Sequence, residues 1–360
     1  MVKPKTINLN SVRLNTVALN HYGNISGGGS KPDPIAAWIR KHMAFRYDTK
    51  GYTNEVLSQT HQLEDLSGNN RPMLLNNFLF DAMSGMGGYK NHRFNQDLGI
   101  KFETVLDRYV KGKPDTKGDK FGYYYVQNNN GNILYVNWHI EGIKEGNKIY
   151  IMQFNTQYDL KIELHNGDNH VAFDITDSPS PNYRYITVAA DQPYSTDITI
   201  TQIPEYPGAL VTDGVDDYGL VENLSSGVKM LFMTVNPMSK QRVLYDARNN
   251  SGFAIYNSNE TIAYQVLNKG GFTYINGVLN KTKYPYDLVG EKQVITICND
   301  TVPDSAKSID ILFASFNRNE NMSCAFYNSI AFDAIPTEED GFTEQELIDY
   351  VIEKYELNKI

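Results

Sequence analysis

Residues 158–176 read YDLKIEL HNGDN HVAFDIT. Leu160, Ile162 and Leu164 alternate with charged residues on one side, and Val171, Phe173 and Ile175 alternate with other residues on the other. A period of two is the mark of a half-buried strand, because successive side chains leave a pleated strand on opposite faces. Asn166 and Gly167 in the middle accept the left-handed backbone angles of a tight turn, so the stretch predicts two strands joined as a hairpin.

The same grammar continues in both directions. NKIYIMQF (147–154), YRYITVAAD (183–191) and TDITITQI (196–203) are short apolar-rich runs separated by turn residues. Strand-like runs resume as VKMLFMTV (228–235), FAIYN (253–257), TIAYQVL (261–267), QVITICN (293–299), IDILFASF (309–316) and SCAFYNSIAF (323–332). Many short strands with few helices between them predict a mainly β protein built of antiparallel sandwiches. Two stretches differ. Asp33 before Pro34 is a cap followed by a proline at the first helical position, opening a short helix over IAAWIRKHM. Thr343 with Glu346 three residues on forms a capping box ahead of EQELIDYVIEKYEL, and Phe342 is placed to staple against Leu347, predicting a C-terminal helix whose Leu347, Val351 and Tyr355 pack on the body.

At the start of the chain, INLNS VRLNT VALNH repeats one pentad three times, with apolar Ile7, Leu9, Val12, Leu14, Val17 and Leu19 spaced alternately by two and three. Neither a helix nor a plain strand has that spacing. It suits short extended pieces bent at each Asn, and so few repeats cannot enclose a core without neighbours. Residues 1–24 are therefore expected to anchor or oligomerise the chain, most simply as a homotrimer that buries Leu9, Leu14 and Leu19 about a threefold axis. The Gly-rich and Pro-containing stretch 25–33 is a joint that separates this piece from the rest.

Net charge of −9 over 360 residues and a pI near 5.3 argue against a phosphate-tracking surface, and no Lys/Arg cluster is present. No run approaches the roughly 18 apolar residues of a membrane span, and the first residues lack the apolar stretch of a signal peptide, so neither nucleic acid nor membrane insertion is expected. Cys298 and Cys324 lie in strand-like runs and read as buried small residues rather than a bridge or metal pair.

Two separated phrases carry a family resemblance. LEDLSGNNRPMLLNNFLF (63–80) resembles the opening of laminin-G-like, concanavalin-type jelly rolls, and GALVTDGVDDYGLVEN (208–223) resembles the next strand of that family. In the family the two lie close together; here more than a hundred residues intervene. The resemblance implies a jelly roll split as 34–90 plus 207–336, interrupted after Gly87-Gly88-Tyr89 by an inserted antiparallel β-sandwich over 91–206, with 337–360 as the C-terminal helix packed on the jelly roll. The rival division makes 34–90 a small module of its own. The whole order of segments is similar to proteins of phages and prophages of gut Bacteroidetes, the crAss-like phages among them. That likeness implies a non-enzymatic virion protein, a head or tail fibre or adhesin made in the host cytoplasm, attached to other virion proteins through its N-terminus. The alternative is a cell-encoded surface carbohydrate-binding module.

Catalysis is not expected, and no cofactor. Concanavalin-type glucanases need two carboxylates at alternate positions of one strand; TEQELID falls on a helix and Glu260 stands alone. Asp213, Asp216 and Asp217 are candidate calcium ligands, set against the plainer reading of a turn at Asp213-Gly214 with two carboxylates solvating the strand edge. The plainer reading is preferred, so no metal is expected there. His165, Asp168 and His170 bracket the predicted turn and read as ordinary polar residues. FGYYYVQNNNGN and ILYVNWH (121–139) bring Tyr123, Tyr124, Tyr125, Tyr135 and Trp138 close in sequence; of these Tyr123, Tyr125, Tyr135 and Trp138 are the candidate glycan-binding residues, since aromatic faces beside Asn amides suit host-surface sugars.

Overall fold

The computed structural model describes residues 33–80, 84–88, 92–95, 102–106, 109–113, 120–126, 133–153, 161–174, 184–222, 224, 227–238, 243–246, 254–257, 264–266, 272–280, 290–299, 310–314 and 321–358. The described residues are mainly β, in four sheets with antiparallel pairing throughout their ladders.

Strand Met230–Pro237 is buried at every position, which is why it reads as an unbroken apolar run rather than an alternation. It lies in an eight-stranded sheet ordered Val278–Asn280, Phe272–Ile275, Gln293–Cys298, Met230–Pro237, Ser323–Phe332, Leu210–Asp213, Gly85–Met86. The long strand Ser323–Phe332 has its other edge shared end to end. Met43–Asp48 pairs with residues 328–332, and Leu210–Asp213 pairs with residues 323–326. Facing this sheet is a seven-stranded one ordered Gln62–Leu63, Met73–Asn76, Tyr218–Val221, Asp310–Leu312, Val243–Asp246, Ala254–Asn257, Tyr264–Val266. Phe45, Leu231, Met233, Ile295 and Phe326 from the first meet Met73, Val221, Leu244 and Leu312 from the second in one buried core. Both sheets thus mix strands from residues 43–86 with strands from residues 210–332.

The outer face of the eight-stranded sheet is covered by two helices. Helix α1, Pro34–His42, is capped by Asp33, whose carboxylate accepts the Ile35 and Ala36 N–H groups at 3.0 and 3.3 Å. Helix α2, Asn54–Thr60, was not legible as a helix and packs elsewhere, through Leu57 into the intersheet core. Helix α3, Glu344–Lys354, has the predicted capping box: Thr343 Oγ1 accepts the Glu346 N–H, and the Glu346 carboxylate accepts the Thr343 N–H at 2.7 Å. Trp38 and Ile39 of α1 and Leu347, Ile348, Val351 and Ile352 of α3 bury against Met230, Phe232, Ile330 and Phe332, with Phe342 and Tyr355 at the margin. Among the described residues, no helix is long and apolar enough to cross a membrane.

The remaining two sheets have five strands each and use only residues 92–202. One is ordered Lys161–Leu164, Ile149–Gln153, Arg184–Ala190, Lys120–Val126, His92–Asn95; the other Gly167–Asp174, Ile133–Glu141, Ile198–Gln202, Tyr109–Gly112, Phe102–Leu106. Val110, Val136, Trp138, Ile140, Ile198 and Ile200 of the second pack on Ile149, Ile151, Leu164 and Ala190 of the first, so the pair is a sandwich.

HNGDN therefore does not close a hairpin. Lys161–Leu164 and Gly167–Asp174 belong to different sheets, and residues 165–166 carry the chain across the sandwich edge. The crossing is braced by side chains in place of a ladder. Asn169, 3% exposed, accepts the His165 N–H at 3.0 Å and donates to the His165 and Gly167 carbonyls at 2.8 and 2.9 Å. Asn166 clasps both backbone groups of Ile143, accepting its N–H at 2.9 Å and donating to its carbonyl at 2.7 Å.

The two pairs of sheets are joined by a short two-stranded stem. Gly87 N–H donates to the Ala209 carbonyl at 2.7 Å, and the Glu205 and Tyr206 N–H groups donate to the Gly88 and Gly87 carbonyls at 3.0 and 2.9 Å. Glycine is required here by close approach: a Cβ on Gly87 would lie 2.8 Å from Pro204, and one on Gly88 2.8 Å from Val211.

Candidate functional site

The phrase DGVDD is a second crossing. Leu210–Asp213 lies in the eight-stranded sheet and Tyr218–Val221 in the seven-stranded one, so residues 214–217 span the sandwich end. Gly214 turns with φ 77°, and a Cβ there would meet Ser323 at 2.9 Å. Asp213 Oδ1 accepts the Val215 N–H at 2.7 Å. Asp217 folds back under the turn, one oxygen accepting the Asp213 N–H at 2.9 Å and the other the Ser84 hydroxyl at 3.0 Å. Ser84 Oγ in turn accepts the Leu79 N–H at 3.1 Å. Asn77, at φ 66°, donates its amide to the Asp216 carbonyl at 3.0 Å, and the Asn321 amide donates to the Val215 carbonyl.

Oxygens from the Asp213, Asp216 and Asp217 carboxylates all lie within 4.8 Å of one another. The turn at Asp213-Gly214 is as expected, but the carboxylates do not both solvate an edge. Asp216 is exposed while Asp217 is 0% exposed. Burial pushes the Asp217 carboxyl up to about 7, helped by the charges of Asp213 and Asp216 and opposed by the two hydrogen bonds it accepts. Leu79 and Val215, 68% and 74% exposed, stand on the two loops that Asn77 and Ser84 tie together. Ser84, Asn77 and Asn321 carried no sequence signal, because each reaches the turn across more than a hundred residues of chain.

The aromatic candidates are divided between two sheets. Tyr123 and Tyr125 lie on strand Lys120–Val126, whereas Tyr135 and Trp138 lie on Ile133–Glu141 in the opposite sheet. Trp138 is 0% exposed and sits in the sandwich core, which removes it as a sugar-stacking surface. The signal was present in VNWHI: Val136, Trp138 and Ile140 share one phase of the alternation, so the indole follows the apolar set inward.

The opposite phase of the same strand is polar. His139 Nδ1 pairs with Asp168 Oδ1 at 2.5 Å and its Nε2 lies 3.5 Å from Glu141, while His170 Nδ1 meets Asn137 Oδ1 at 3.0 Å. The hydrogen bond to Asp168 is the largest cause raising the His139 pKa above its usual value. His165 is exposed. His165, Asp168 and His170 thus take part in turn and surface contacts, with no shared ligand geometry among the described residues. Both cysteines are free and buried; burial raises both thiols, Cys324 to about 12. Ile7, Leu9, Val12, Leu14, Val17 and Leu19 lie outside the described residues.

No family model, no curated protein and no solved structure matches this chain.

Proposed function

We propose that the protein is a non-enzymatic virion component of a bacteriophage, a head or tail fibre or adhesin whose N-terminal pentads fasten it to the particle or to two further copies of itself. The observation that supports this reading most is the stem: the chain enters and leaves the sandwich formed by residues 92–202 through residues 87–88 and 205–209, which pair backbone to backbone. A module whose entering and leaving chains are paired side by side suits display to a host surface. On this reading residues 34–90 and 207–336 form one laminin-G-like jelly roll and residues 91–206 its insertion, which fits the sharing of both larger sheets between the two stretches. Glycan contact, if the sandwich makes it, uses surface residues other than Trp138.

The test is mass spectrometry of purified virions from a culture that produces the protein. Peptides from this chain in stoichiometric amount with other particle proteins are the expected result. Absence from particles, with the protein found at the cell surface, refutes the virion reading in favour of a cell-encoded binding module. Deleting residues 91–206 and closing the stem with a Gly/Ser linker should leave a soluble, cooperatively folding β-protein; aggregation of that deletion beside good folding of residues 207–360 alone refutes the split jelly roll.

A further inference from the structure

We propose that the outer face of the five-stranded sheet containing Lys120–Val126 binds acidic glycan chains, with Tyr123, Tyr125 and Tyr185 as the stacking surface and Arg93 and Asn95 as the polar contacts. The inference deepens the adhesin reading, on which it rests for the class of ligand. What carries it is the pairing register.

Ile149 and Ile151 belong to the sandwich core, so Tyr150 and Met152 occupy the opposite, outer phase of the same strand. Residues directly opposed across a ladder share a face. Met152 opposes Thr187, Thr187 opposes Tyr123, and Tyr123 opposes Asn95. Two residues further along, Tyr185 opposes Tyr125, and Tyr125 opposes Arg93. The three tyrosines, the asparagine and the arginine therefore hold neighbouring positions of the outer face, on three adjacent strands. The intervening positions agree with this phase. Phe94, Tyr124, Ile186 and Val188 fall in register with the inner set that includes Ile151. Adjacent strands lie about 4.8 Å apart, so the tyrosine positions form one contiguous patch. Tyr185, Arg93 and Asn95 were invisible to a reading of FGYYYVQNNNGN alone, because only the register brings them beside it.

The residue types select the ligand. Tyrosine offers a rigid apolar face with a polar tip at little cost in conformational entropy, which suits the C–H face of a sugar ring. An amide serves sugar hydroxyls, and a guanidinium serves carboxylates or sulfates. The charge of this face is also opposite to that of the chain. Arg93, Lys120 and Lys161 hold outer positions, across from Tyr125, Ala189 and Met152. Glu163, the carboxylate across from Tyr150, is exposed and already paired with Lys148 at 2.8 Å. A locally cationic face on a chain of net charge −9 favours a ligand with scattered acidic groups. A nucleic-acid strand, with a phosphate at every nucleotide, would meet the overall negative charge along its length.

The purified full chain is applied to an array of neutral, uronic-acid, sialylated and sulfated glycans, and those retained are titrated by calorimetry. Expected is retention of acid-bearing glycans over neutral ones, weakened by added salt. Tyr125→Ala and Tyr185→Ala each weaken binding by at least about tenfold, the loss on truncating an aromatic anchor. Arg93→Gln, on the edge strand His92–Asn95, weakens binding of the acidic glycans while melting like the parent, which separates lost contact from lost folding. Retention of no acid-bearing glycan overturns the proposal. So does affinity that all three variants leave unchanged, or a single-stranded oligonucleotide held as tightly as the acidic glycans. The assay uses no particle, so it can fail while mass spectrometry still finds the chain in virions, and succeed while the chain is absent from them.

Discussion

Replacing Asn169 by Ala removes the brace of the crossing at residues 165–166. The side chain is 3% exposed and makes three hydrogen bonds of 2.8 to 3.0 Å, two to His165 and one to Gly167. Each such bond contributes about 1 kcal/mol net, so Asn169→Ala should cost about 2–3 kcal/mol. Asn169→Asp should fare no better, because a carboxylate keeps the His165 N–H but faces two carbonyl oxygens. The assay is urea unfolding read by tryptophan emission. The chain has two tryptophans, and Trp38→Phe leaves Trp138, which sits directly opposite Asn169 on the paired strand. With a urea slope of about 1–3 kcal/mol/M, the midpoint should fall by about 0.7–3 M. A loss under about 0.5 kcal/mol, the range of ordinary surface substitutions, would refute the idea that this amide holds the crossing.

Thr343→Ala should cost about 1 kcal/mol by removing the cap of α3, seen as an earlier urea transition of Trp38 emission in a Trp138→Phe background, since both groups border the same cluster. Gly85→Ala should be far more damaging. Gly85 has φ 137°, and a Cβ would lie 2.6 Å from both Asn54 Oδ1 and the Phe80 backbone, displacing the Asn54 side chain from the Met86 N–H; a loss of about 3 kcal/mol or failure to fold is expected, measured by soluble yield and the same Trp38 transition. His139 should titrate above the usual histidine value, and Asp168→Asn should bring it down, both read by NMR. Because the folded value is raised, the stabilisation from this pair is complete below the ordinary histidine pKa of about 6.5 and is lost as pH rises through the folded value.

Local chemistry was legible in the sequence where a single stretch contains both partners. The capping box of Thr343 and Glu346 and the Asp33-Pro34 start each close within four residues, and both helices stand where those residues place them. Strand positions were equally plain from alternation or from continuous apolar runs such as MLFMTV. What alternation does not encode is the neighbour: Lys161–Leu164 and Gly167–Asp174 look like a hairpin because Asn166-Gly167 suits one, yet each pairs with a strand of a different sheet. The acidic turn was visible as DGVDD, but not the inward fold of Asp217, which depends on Ser84, 133 residues earlier in the chain. Trp138 was misjudged by counting aromatic residues in a window instead of following the phase set by Val136 and Ile140.

The stem at residues 87–88 and 205–209 also bears on how such a protein changes over generations. Its two chains run side by side, so the span between them is only about one interstrand spacing, ~4.8 Å. A β unit whose own termini lie that close can be spliced in beyond the ladder at Gly87, Gly88, Glu205 and Tyr206, whose hydrogen bonds join backbone groups, so long as Tyr206 stays, since its side chain packs against Ala209, Val211 and Ala325. Recombination at this point would exchange the outer sandwich as a cassette, leaving the two capped helices and the sheets beneath them untouched.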